Sequence, residues 1–508
     1  MGIIKIWRKY GLKPALKSAA GILRSGNISK LNKEKYMSTM PSEKEIQEAA
    51  FKVKESGIDL GGGDYHIFKA DTVKLHPLYF SKITDVIKEK RPCFIYTDEY
   101  KYDKKRLLYK PDFAPDTLWD YNYMGRCVAV KADYVDEIVL KYVKANQYHE
   151  INKYVCKKAA ERNEINKIHH VREALFEDES DACGEKKSDI KIQNIEKVSY
   201  FTRFPKVSII IPNCNHMQDL KRCVESITEL TDYPSYEIII VENNSDEQAV
   251  FDYYKKICTE KREKIEASIE GDEHKKNKMS GKNEGVEAVC DYSIKVIEYK
   301  SEFNYSAINN FAVKHATGEL ILLLNNDTKV INQSWLKSMV KYAVRENTGA
   351  VGACLLYENN TIQHAGVIVG IGPNKTAVHP NSGEPFENEG YRSSIHHVQN
   401  YSAVTGACLL VKKTEYEAVG GLSQELAVAY NDIDFCLKLR KKGLLNVYVP
   451  DAMLYHYESK SRGLDISSEK AQRLKREADI FTKKWSMVLN EGDPYYNPNL
   501  SRSIPWEL

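Results

Sequence analysis

The chain has 508 residues, of which 42% are hydrophobic and 29% are charged, enough of both for packed cores with a hydrated surface. Lys and Arg (74) outnumber Asp and Glu (71) only slightly, so the net charge does not favour a nucleic-acid partner. This length predicts two to four domains, and apolar runs such as 320–324 are far shorter than a membrane span, which predicts a soluble chain.

The first 45 residues are predicted to form a basic amphipathic leader. Residues 1–40 carry nine Lys or Arg and one Glu, and they lack the apolar core of a signal peptide. Ile3, Trp7 and Leu16 alternate with these charges at helical spacing. Such a helix could lie on the anionic inner face of a cell membrane, and a solvated leader is the alternative.

Cysteine spacing indicates the compartment. Eleven cysteines lie between Cys93 and Cys436 without a CxxC pair. This pattern fits neither a zinc ribbon nor a disulfide framework, and it predicts reduced thiols in the cytoplasm.

Composition divides the rest of the chain into domains. Polar and charged residues over 181–204 predict a linker. The linker separates a first domain, 46–180, from a larger second domain, 205–490, which is followed by a C-terminal tail, 491–508.

Continuous apolar runs in the second domain predict buried strands that alternate with helices. The predicted strands are 206–212, 236–241, 294–298 and 319–324, and the predicted helices are 220–230 and 306–315. The charged stretch 259–283 is predicted to be an exposed insertion. This alternation predicts an α/β fold with a mainly parallel sheet flanked by helices, as in nucleotide-binding proteins.

Part of the second domain is repeated in the first. Residues 63–72 parallel 318–328, and residues 123–131 parallel 404–412. The repeat predicts two related domains. Few residues precede position 63, so the first domain is predicted to lack a nucleotide-binding half.

Two predicted strand ends carry residues that could contact a nucleoside. Pro212 and Asn213 end one strand, and Glu242 and Ser245 follow the next. Ligands of open α/β sheets bind beyond the carboxyl ends of the strands, where amides and a carboxylate can hydrogen-bond a base and ribose. Ordinary turn formation is the alternative, because Asn, Ser and Pro favour turns.

A third strand end carries a candidate metal ligand. Asp327 follows Asn325 and Asn326 after a strand of apolar residues. A carboxylate there is costly to bury unless it coordinates an ion, and a divalent cation that bridges phosphates needs few protein oxygens. The alternative is an aspartate that caps the helix near Trp335.

A histidine near the end of the second domain could complete this metal site. His456 is predicted in a polar loop after the strand at 447–450, and neutral imidazole is a common metal ligand. A hydrogen-bonded core histidine is the alternative.

Two carboxylates stand at the start of a predicted helix. Asp432 and Asp434 are two residues apart and therefore point in different directions. One could cap the helix, and the other could accept a proton from a sugar hydroxyl.

Together these segments resemble glycosyltransferase family 2, whose fold is named GT-A. The matching segments are 207–213, 240–245, 303–312, 318–328, 363–366, 404–408, 430–436 and 454–463. So many segments in a fixed order over half of the chain are specific, although each is weak alone. The resemblance is strongest to bacterial enzymes that build rhamnose-containing or other surface polysaccharides.

The resemblance implies roles for individual residues. It implies nucleotide-sugar binding by Pro212, Asn213, Glu242, Ser245, Asn310 and Asn326. It implies Mn²⁺ or Mg²⁺ binding by Asp327 and His456, and general-base catalysis by Asp432. Gly406, Ala407 and Asp434 are expected on the acceptor side. Glu242 stands where Asp is common, and Asn325 replaces the first acid of the family's Asp-x-Asp signature.

The same comparison predicts that the first domain is a degenerate, truncated GT-A-like copy. Lys69 is aligned with Asn325, and Asp71 with Asp327. Further along the chain, Glu150 is aligned with Asp432, and Glu177 with His456. A lysine at the metal site would repel a divalent cation, so this domain is predicted to be structural or to bind acceptor.

The implied function is an inverting, metal-dependent glycosyltransferase of the cytoplasm. Its donor would be dTDP-rhamnose or a UDP-hexose, and its acceptor a growing cell-surface polysaccharide or a lipid-linked glycan. The alternative is a non-catalytic, carbohydrate-binding scaffold of a polysaccharide assembly complex.

Overall fold

The computed structural model describes residues 40–55, 58–60, 63–101, 106–179, 204–258, 291–457 and 468–507. The predicted leader and linker lie almost entirely outside these residues, and the predicted insertion 259–283 lies wholly outside them. The described chain forms two compact units. One comprises residues up to 190 with Pro494–Ser501 and the residues from Trp506, and the other comprises 191–493 with Arg502–Pro505.

The first unit has one mixed sheet. Its strands are β1 Tyr65–Lys69, β2 Val73–Leu75, β3 Phe94–Lys101, β4 Arg106–Leu108, β5 Cys127–Lys131 and β6 Ile168–Asp178. Its helices are α1 Glu43–Glu55, α2 Tyr79–Lys90, α3 Pro115–Asp120, α4 Glu137–Lys144 and α5 Tyr148–Glu161. The strand order is β1-β5-β3-β6-β2, with β4 paired to β3.

The second unit has a larger mixed sheet. Its strands are β7 Val207–Asn213, β8 Ser235–Glu242, β9 Asp291–Glu298, β10 Leu320–Leu324, β11 Thr328–Val330, β12 Thr348–Leu356, β13 Ile362–His364, β14 Ile368–Val369, β15 Ala377–Val378, β16 Gln399–Tyr401, β17 Cys408–Lys412 and β18 Leu445–His456. The main path is β11-β18-β12-β17-β10-β7-β8-β9, and β14 and β15 form a separate pair.

Helices flank this sheet. They are α6 Met217–Leu230, α7 Tyr305–Val313, α8 Trp335–Ala343, α9 Lys413–Ala418, α10 Asn431–Lys441, α11 Ser468–Lys484 and α12 Ser486–Glu491. Residues 248–258 are also helical. Among the described residues, no helix is both long and apolar enough to cross a membrane.

The continuous apolar strands are buried on both faces, as predicted. Ile209 and Ile211 pack in one core cluster with Trp335 of α8, whereas Ile210 packs in another with Ile308 of α7. Alternate side chains of a strand point to opposite faces, so each face of β7 is covered. The six elements predicted over 206–324 are confirmed, with bounds that differ by three residues or fewer.

The strand predicted at 447–450 is longer than expected. It continues to His456, because β18 pairs with β12 over most of its length and with β11 at its end. His456 therefore lies on a strand and not in a polar loop.

The first unit repeats the strand order of part of the second. Its order β1-β5-β3-β6-β2 matches β10-β17-β12-β18-β11, and each corresponding pair has the same parallel or antiparallel sense. Within the described residues, nothing in the first unit corresponds to β7, β8 and β9.

Strand register corrects the residue alignment of this repeat by one position. Val73 pairs with Asp178 as Thr328 pairs with His456. Asp178, and not Glu177, therefore corresponds to His456. Because Thr72 immediately precedes Val73, Thr72 and not Asp71 corresponds to Asp327.

Lys69 is displaced from its predicted counterpart in the same way. Lys69 pairs with Cys127 as Leu324 pairs with Cys408. Lys69 therefore corresponds to Leu324 and not to Asn325.

The predicted C-terminal tail is partly integrated into the first unit. Tyr495 packs in the core of that unit. Asn497 Nδ2 donates to both carboxylate oxygens of the buried Asp98, at 3.1 and 3.0 Å, and to the carbonyl of Lys110 at 3.0 Å. The first unit is thus assembled from three separate stretches of the sequence.

Candidate active site

The candidate site lies at the carboxyl ends of β7, β8 and β10, where side chains from three strands are linked. Asn326 Nδ2 donates to Asn213 Oδ1 at 2.7 Å, which joins the loop after β10 to the end of β7. Asn213 Nδ2 donates to the hydroxyl of Tyr254 at 3.0 Å. Tyr254 in turn donates to Glu242 Oε2 at 2.7 Å. These four residues form one hydrogen-bonded chain.

The Glu242 carboxylate is held by further donors in its own loop. Ser245 donates its backbone N–H to Oε1 at 2.5 Å and its hydroxyl to Oε2 at 2.8 Å. Glu242 is 4% exposed. Burial, together with the hydrogen bond to Glu242, raises the pKa of Tyr254, so Tyr254 remains a donor at neutral pH. The carboxylate is therefore fixed in one orientation.

The two predicted metal ligands are in contact. Asp327 Oδ1 lies 3.2 Å from His456 Nε2, and both side chains are almost fully buried. The contact follows from strand pairing, because Thr328 is the register partner of His456. The helix of Trp335 has Ser334 at its N-cap position, so Asp327 does not cap it.

This pair fits a divalent cation that keeps some ligands from water or phosphate. Two ligands at right angles, each about 2.1 Å from an ion, lie roughly 3 Å apart, close to the observed separation of Asp327 and His456. The described residues contain no group of three or more His, Cys, Asp or Glu side chains that could hold an ion. An ion bound here would therefore leave positions open for oxygens from a ligand or from water.

The predicted base is oriented by backbone donors. Asp432 Oδ2 accepts from the N–H of Gly406 at 2.8 Å, and Oδ1 accepts from the N–H of Ile433 at 2.8 Å. Tyr430, in a left-handed conformation, occupies the N-cap position of α10, so neither Asp432 nor Asp434 caps this helix. Asp432 is half-buried.

A single loop connects the predicted base to the metal pair. The N–H of Asn325 donates to the carbonyl of Ala407 at 3.0 Å. The preceding residue, Gly406, donates to Asp432. Tyr305 donates its hydroxyl to the carbonyl of Gly406 at 2.8 Å, which fixes the loop from the side of α7. Residues Gly406 and Ala407 thus link Asp432 to Asn325, two residues before Asp327.

A family model with the description "Glycosyltransferase like family 2" matches residues 205–478, more than half of the chain. The chain belongs to this glycosyltransferase family. The family and the sheet of the second unit confirm the predicted GT-A fold class.

Curated relatives cover much of the chain. It is 34% identical over 446 residues to "Uncharacterized protein y4gI" of Sinorhizobium fredii, covering 80% of this chain and 45% of the relative. It is 28% identical over 444 residues to "O-antigen biosynthesis protein RfbC" of Myxococcus xanthus, covering 80% of this chain and 31% of the relative. The chain therefore spans less than half the length of either relative.

Shorter or more distant similarities are also found. An N-acetylglucosaminyl-diphospho-decaprenol L-rhamnosyltransferase of Mycobacterium tuberculosis is 37% identical over 68 residues, 13% of this chain and 22% of the relative. The mannosyltransferase PcManGT of Pyrobaculum calidifontis, solved with GDP-Man and Mn²⁺, is 16% identical with a TM-score of 0.35, covering 57% of this chain and 69% of its own. GalNAc-T7, solved with UDP, GalNAc and Mn²⁺, is 13% identical with a TM-score of 0.39. The match covers 57% of this chain and 50% of the GalNAc-T7 chain.

The expected acceptor-side role of Asp434 is wrong. Its side chain is fully buried and accepts from Ser423 Oγ at 2.6 Å, Trp485 Nε1 at 2.8 Å and Lys484 Nζ at 2.7 Å. Burial alone would raise the pKa of Asp434, but these donors outweigh burial and hold the pKa below its ordinary value. Asp434 is a structural anion that joins α10 to α11.

Asn310 is bonded within the protein, and its expected donor-binding role stays a prediction. Asn310 Oδ1 accepts from the Tyr416 hydroxyl at 2.6 Å and the Leu422 N–H at 2.9 Å, and Nδ2 donates to the Leu422 carbonyl at 2.8 Å. These bonds occupy both ends of the amide. Asn310 therefore fixes the loop after α9 to α7.

Two neighbouring residues were not found from the sequence. Tyr254 lies in the helix at 248–258 and contacts Glu242 only because the chain folds back on β8. Arg222 of α6 stacks over the ring of Tyr457, at 3.8 Å from its centroid, and so places a positive charge beside the residue that follows His456. No spacing rule in the sequence connects either residue to the site.

Substitution of Asp434 tests its structural assignment. Asp434→Asn leaves the partly exposed cations Lys438 and Lys484 without their buried anion, so we expect the free energy of unfolding at pH 7 to fall by about 2–4 kcal/mol. Because the folded-state pKa of this carboxyl is lowered, its contribution is present above the ordinary carboxyl pKa and is lost as the pH falls through the folded value. The difference from wild type should therefore shrink in acid.

Denaturant unfolding at neutral and acidic pH measures this effect. Asp432→Asn is the matched control, since that carboxylate is only half-buried, and it should change stability little. Wild-type stability of the Asp434→Asn variant would contradict the assignment.

Proposed function

We propose that the second unit is an inverting glycosyltransferase that transfers a sugar from a nucleoside-diphosphate sugar to a carbohydrate hydroxyl. The observation that carries the proposal is the loop at Gly406 and Ala407, which bonds both to Asp432 and to Asn325, the residue that follows β10 and lies two residues before Asp327. A base at Asp432 and a diphosphate site at Asp327 would then belong to one unit, as transfer requires. Membership of the glycosyltransferase family supports the same reaction class.

The nucleoside would bind at the hydrogen-bonded chain from Asn326 to Glu242. Its members lie at the carboxyl ends of neighbouring strands, the usual ligand position in open α/β sheets. Their mutual bonds hold the amide and carboxylate groups in place before a ligand arrives, which reduces the entropy lost on binding. Pro212 and Ser245 complete this end of the site.

The diphosphate would bind next to Asp327 and His456 through a divalent ion, Mn²⁺ or Mg²⁺. When bound, such an ion neutralises charge on the leaving diphosphate. The chain supplies one carboxylate and one imidazole, and a nucleoside diphosphate can supply the oxygens that these two side chains lack.

Asp432 would act as the general base. The N–H groups of Gly406 and Ile433 orient its carboxylate. The acceptor oxygen forms a bond to the anomeric carbon while the bond from that carbon to the diphosphate oxygen breaks. The proton of the acceptor hydroxyl passes to Asp432. Attack from the face opposite the leaving group inverts the anomeric configuration.

The substrates are proposed from the resemblance and from relatives. One relative is named for O-antigen biosynthesis, and another, over a short segment, is named a rhamnosyltransferase. We therefore propose dTDP-rhamnose or a UDP-hexose as donor. The proposed acceptor is a cell-surface polysaccharide or a lipid-linked glycan.

Removal of the base should abolish transfer. Asp432→Asn keeps the size of the side chain but lowers its basicity, so we expect kcat to fall about 10²–10⁴-fold while donor binding changes little. Initial rates and nucleotide-sugar binding measure the two effects. Asp451→Asn, an exposed carboxylate on β18, is the control and should retain activity. Full activity of Asp432→Asn would refute the assignment.

Removal of the metal pair should abolish metal binding. Loss of a residue that only hydrogen-bonds to a metal ligand lowers metal affinity roughly 10–100-fold. Because Asp327 and His456 would contact the ion directly, we expect Asp327→Ala and His456→Ala each to lower Mn²⁺ affinity by more than this. Thermal shift with Mn²⁺ and nucleoside diphosphate reports binding directly, and EDTA should stop turnover of the wild type. Equal stabilisation of the variants and the wild type by Mn²⁺ would remove these residues from the proposal.

Loss of the Tyr254 hydroxyl should weaken nucleotide binding. Tyr254→Phe deprives Glu242 of a donor and Asn213 of an acceptor, so we expect about a tenfold loss of nucleotide affinity with kcat almost unchanged. Calorimetric titration with UDP and dTDP measures this effect. Tyr253→Phe removes the same atom from the adjacent residue and should bind nucleotide as wild type does. Identical affinities for all three proteins would contradict the role of Tyr254.

A further inference from the structure

The first unit contains a counterpart of the Asp327–His456 pair. By strand register, Thr72 and Asp178 occupy the positions of Asp327 and His456. Thr72 Oγ1 donates to Asp178 Oδ1 at 2.9 Å, so the two side chains are in contact just as the pair in the second unit is.

A guanidinium group binds this counterpart. In the first unit Cys127 pairs with Lys69, and in the second unit Cys408 pairs with Leu324, so Cys127 corresponds to Cys408. Arg126 immediately precedes Cys127 and therefore corresponds to Ala407. Arg126 Nε donates to Asp178 Oδ2 at 3.0 Å, and Nη2 donates to Asp178 Oδ1 at 2.6 Å and to Thr72 Oγ1 at 2.7 Å. One side chain therefore bridges both residues.

A second cation completes the neutralisation of Asp178. Lys101 Nζ lies 3.0 Å from Asp178 Oδ2, and Asp178 is fully buried. Burial would raise the pKa of Asp178, but Arg126 and Lys101 outweigh burial and hold the pKa well below its ordinary range. The carboxylate is thus ionised and already has two positive partners, which would repel a divalent ion.

The space beside the counterpart is also filled. Gly125, at the position of Gly406, is in contact with a buried ion pair between Glu99 and Lys110, whose closest atoms are 2.9 Å apart. A Cβ atom on Gly125 would come within 2.5 Å of Glu99 Oε2 and 2.9 Å of Lys110 Nζ. In the second unit, the N–H of Gly406 instead bonds the half-buried Asp432.

We propose that Arg126 is a built-in substitute for a divalent cation, so that the first unit binds neither metal nor a nucleoside diphosphate at this position. The guanidinium fork supplies fixed positive charge and directional bonds that a carboxylate and a hydroxyl can accept together. Of these two corresponding positions, the one in the second unit would then be the metal-dependent donor site. The equivalence to a metal site rests on the proposed function, whereas the role of Arg126 within the first unit does not.

Metal stoichiometry tests the first half of this inference. The full-length double variant Asp327→Ala/His456→Ala removes the pair of the second unit, and free Mn²⁺ is followed by electron paramagnetic resonance in the presence of UDP. We expect the wild type to bind one Mn²⁺ and the double variant to bind none. One Mn²⁺ retained by the double variant would overturn the inference and leave the catalytic proposal intact. No Mn²⁺ bound by the wild type would refute the metal in the catalytic proposal, while agreeing with a metal-free first unit.

Chemical rescue tests the second half. Arg126→Ala should lower the melting temperature of the full-length chain by about 5 °C or more, because it leaves a buried carboxylate without its main partner. Millimolar guanidinium should restore much of this loss by occupying the vacated space. A melting temperature equal to that of the wild type would overturn the proposal, as would the absence of any specific gain from guanidinium.

A matched control comes from the same unit. Arg172 makes a similar two-point contact with Asp112, but its side chain is 47% exposed. Arg172→Ala should therefore change the melting temperature little and gain nothing from guanidinium. If Arg126→Ala does not fold, Arg126→Lys, which keeps the charge but not the fork, should show a partial loss. Wild-type stability of this variant would overturn the role of the fork.

Discussion

The antiparallel pairing of β11 with β18 is the constraint on which the candidate site depends. Val330 and Leu454 are register partners, and both are buried in the same core. Two residues further along the pair, Thr328 and His456 are partners, which places His456 beside Asp327. A slip of one residue would turn the buried side chains out of the core. Apolar packing at one end of this short pair therefore sets the polar geometry at the other.

The same pairing in the first unit supports a different chemistry. Val73 and Asp178 are partners there, and the adjacent charges are cancelled internally by Arg126 and Lys101. Strand pairing needs only backbone hydrogen bonds and a buried face, so side chains at the strand ends can change while the sheet remains. Two units of one chain can thus share a strand order and differ in what they bind.

Much of the second unit could be predicted because its strands are continuous apolar runs. Residues such as Ile209, Ile210 and Ile211 indicate a strand buried on both faces, and polar residues that follow such runs fall at one edge of a parallel sheet. That reasoning placed Asn213, Glu242 and Asp327 at strand ends. It required no knowledge of tertiary contacts.

The remaining details depend on contacts that the sequence does not encode locally. Asp432 and Asp434 are the same residue type two positions apart, and contacts such as that with Lys484, about 50 residues away, make Asp434 structural. Sequence similarity around Lys69 and Asn325 suggested an alignment that was shifted by one residue. The correct alignment depends on strand register, which is set by the partner strands. Tyr254 gave no signal at all, since its role depends on a single hydroxyl that reaches Glu242.

The discontinuous build of the first unit has a consequence for biosynthesis. Tyr495 and Asn497 complete a core whose other members are synthesised some 300 residues earlier or more, and Asn497 supplies donors to the buried Asp98 carboxylate. Domains generally fold as they emerge from the ribosome, from the amino terminus onward. Here most of the second unit is synthesised before the closing segment of the first, so it can fold while the first unit still waits for that segment. A chaperone that shields the unfinished β1–β6 sheet during translation would act on this intermediate.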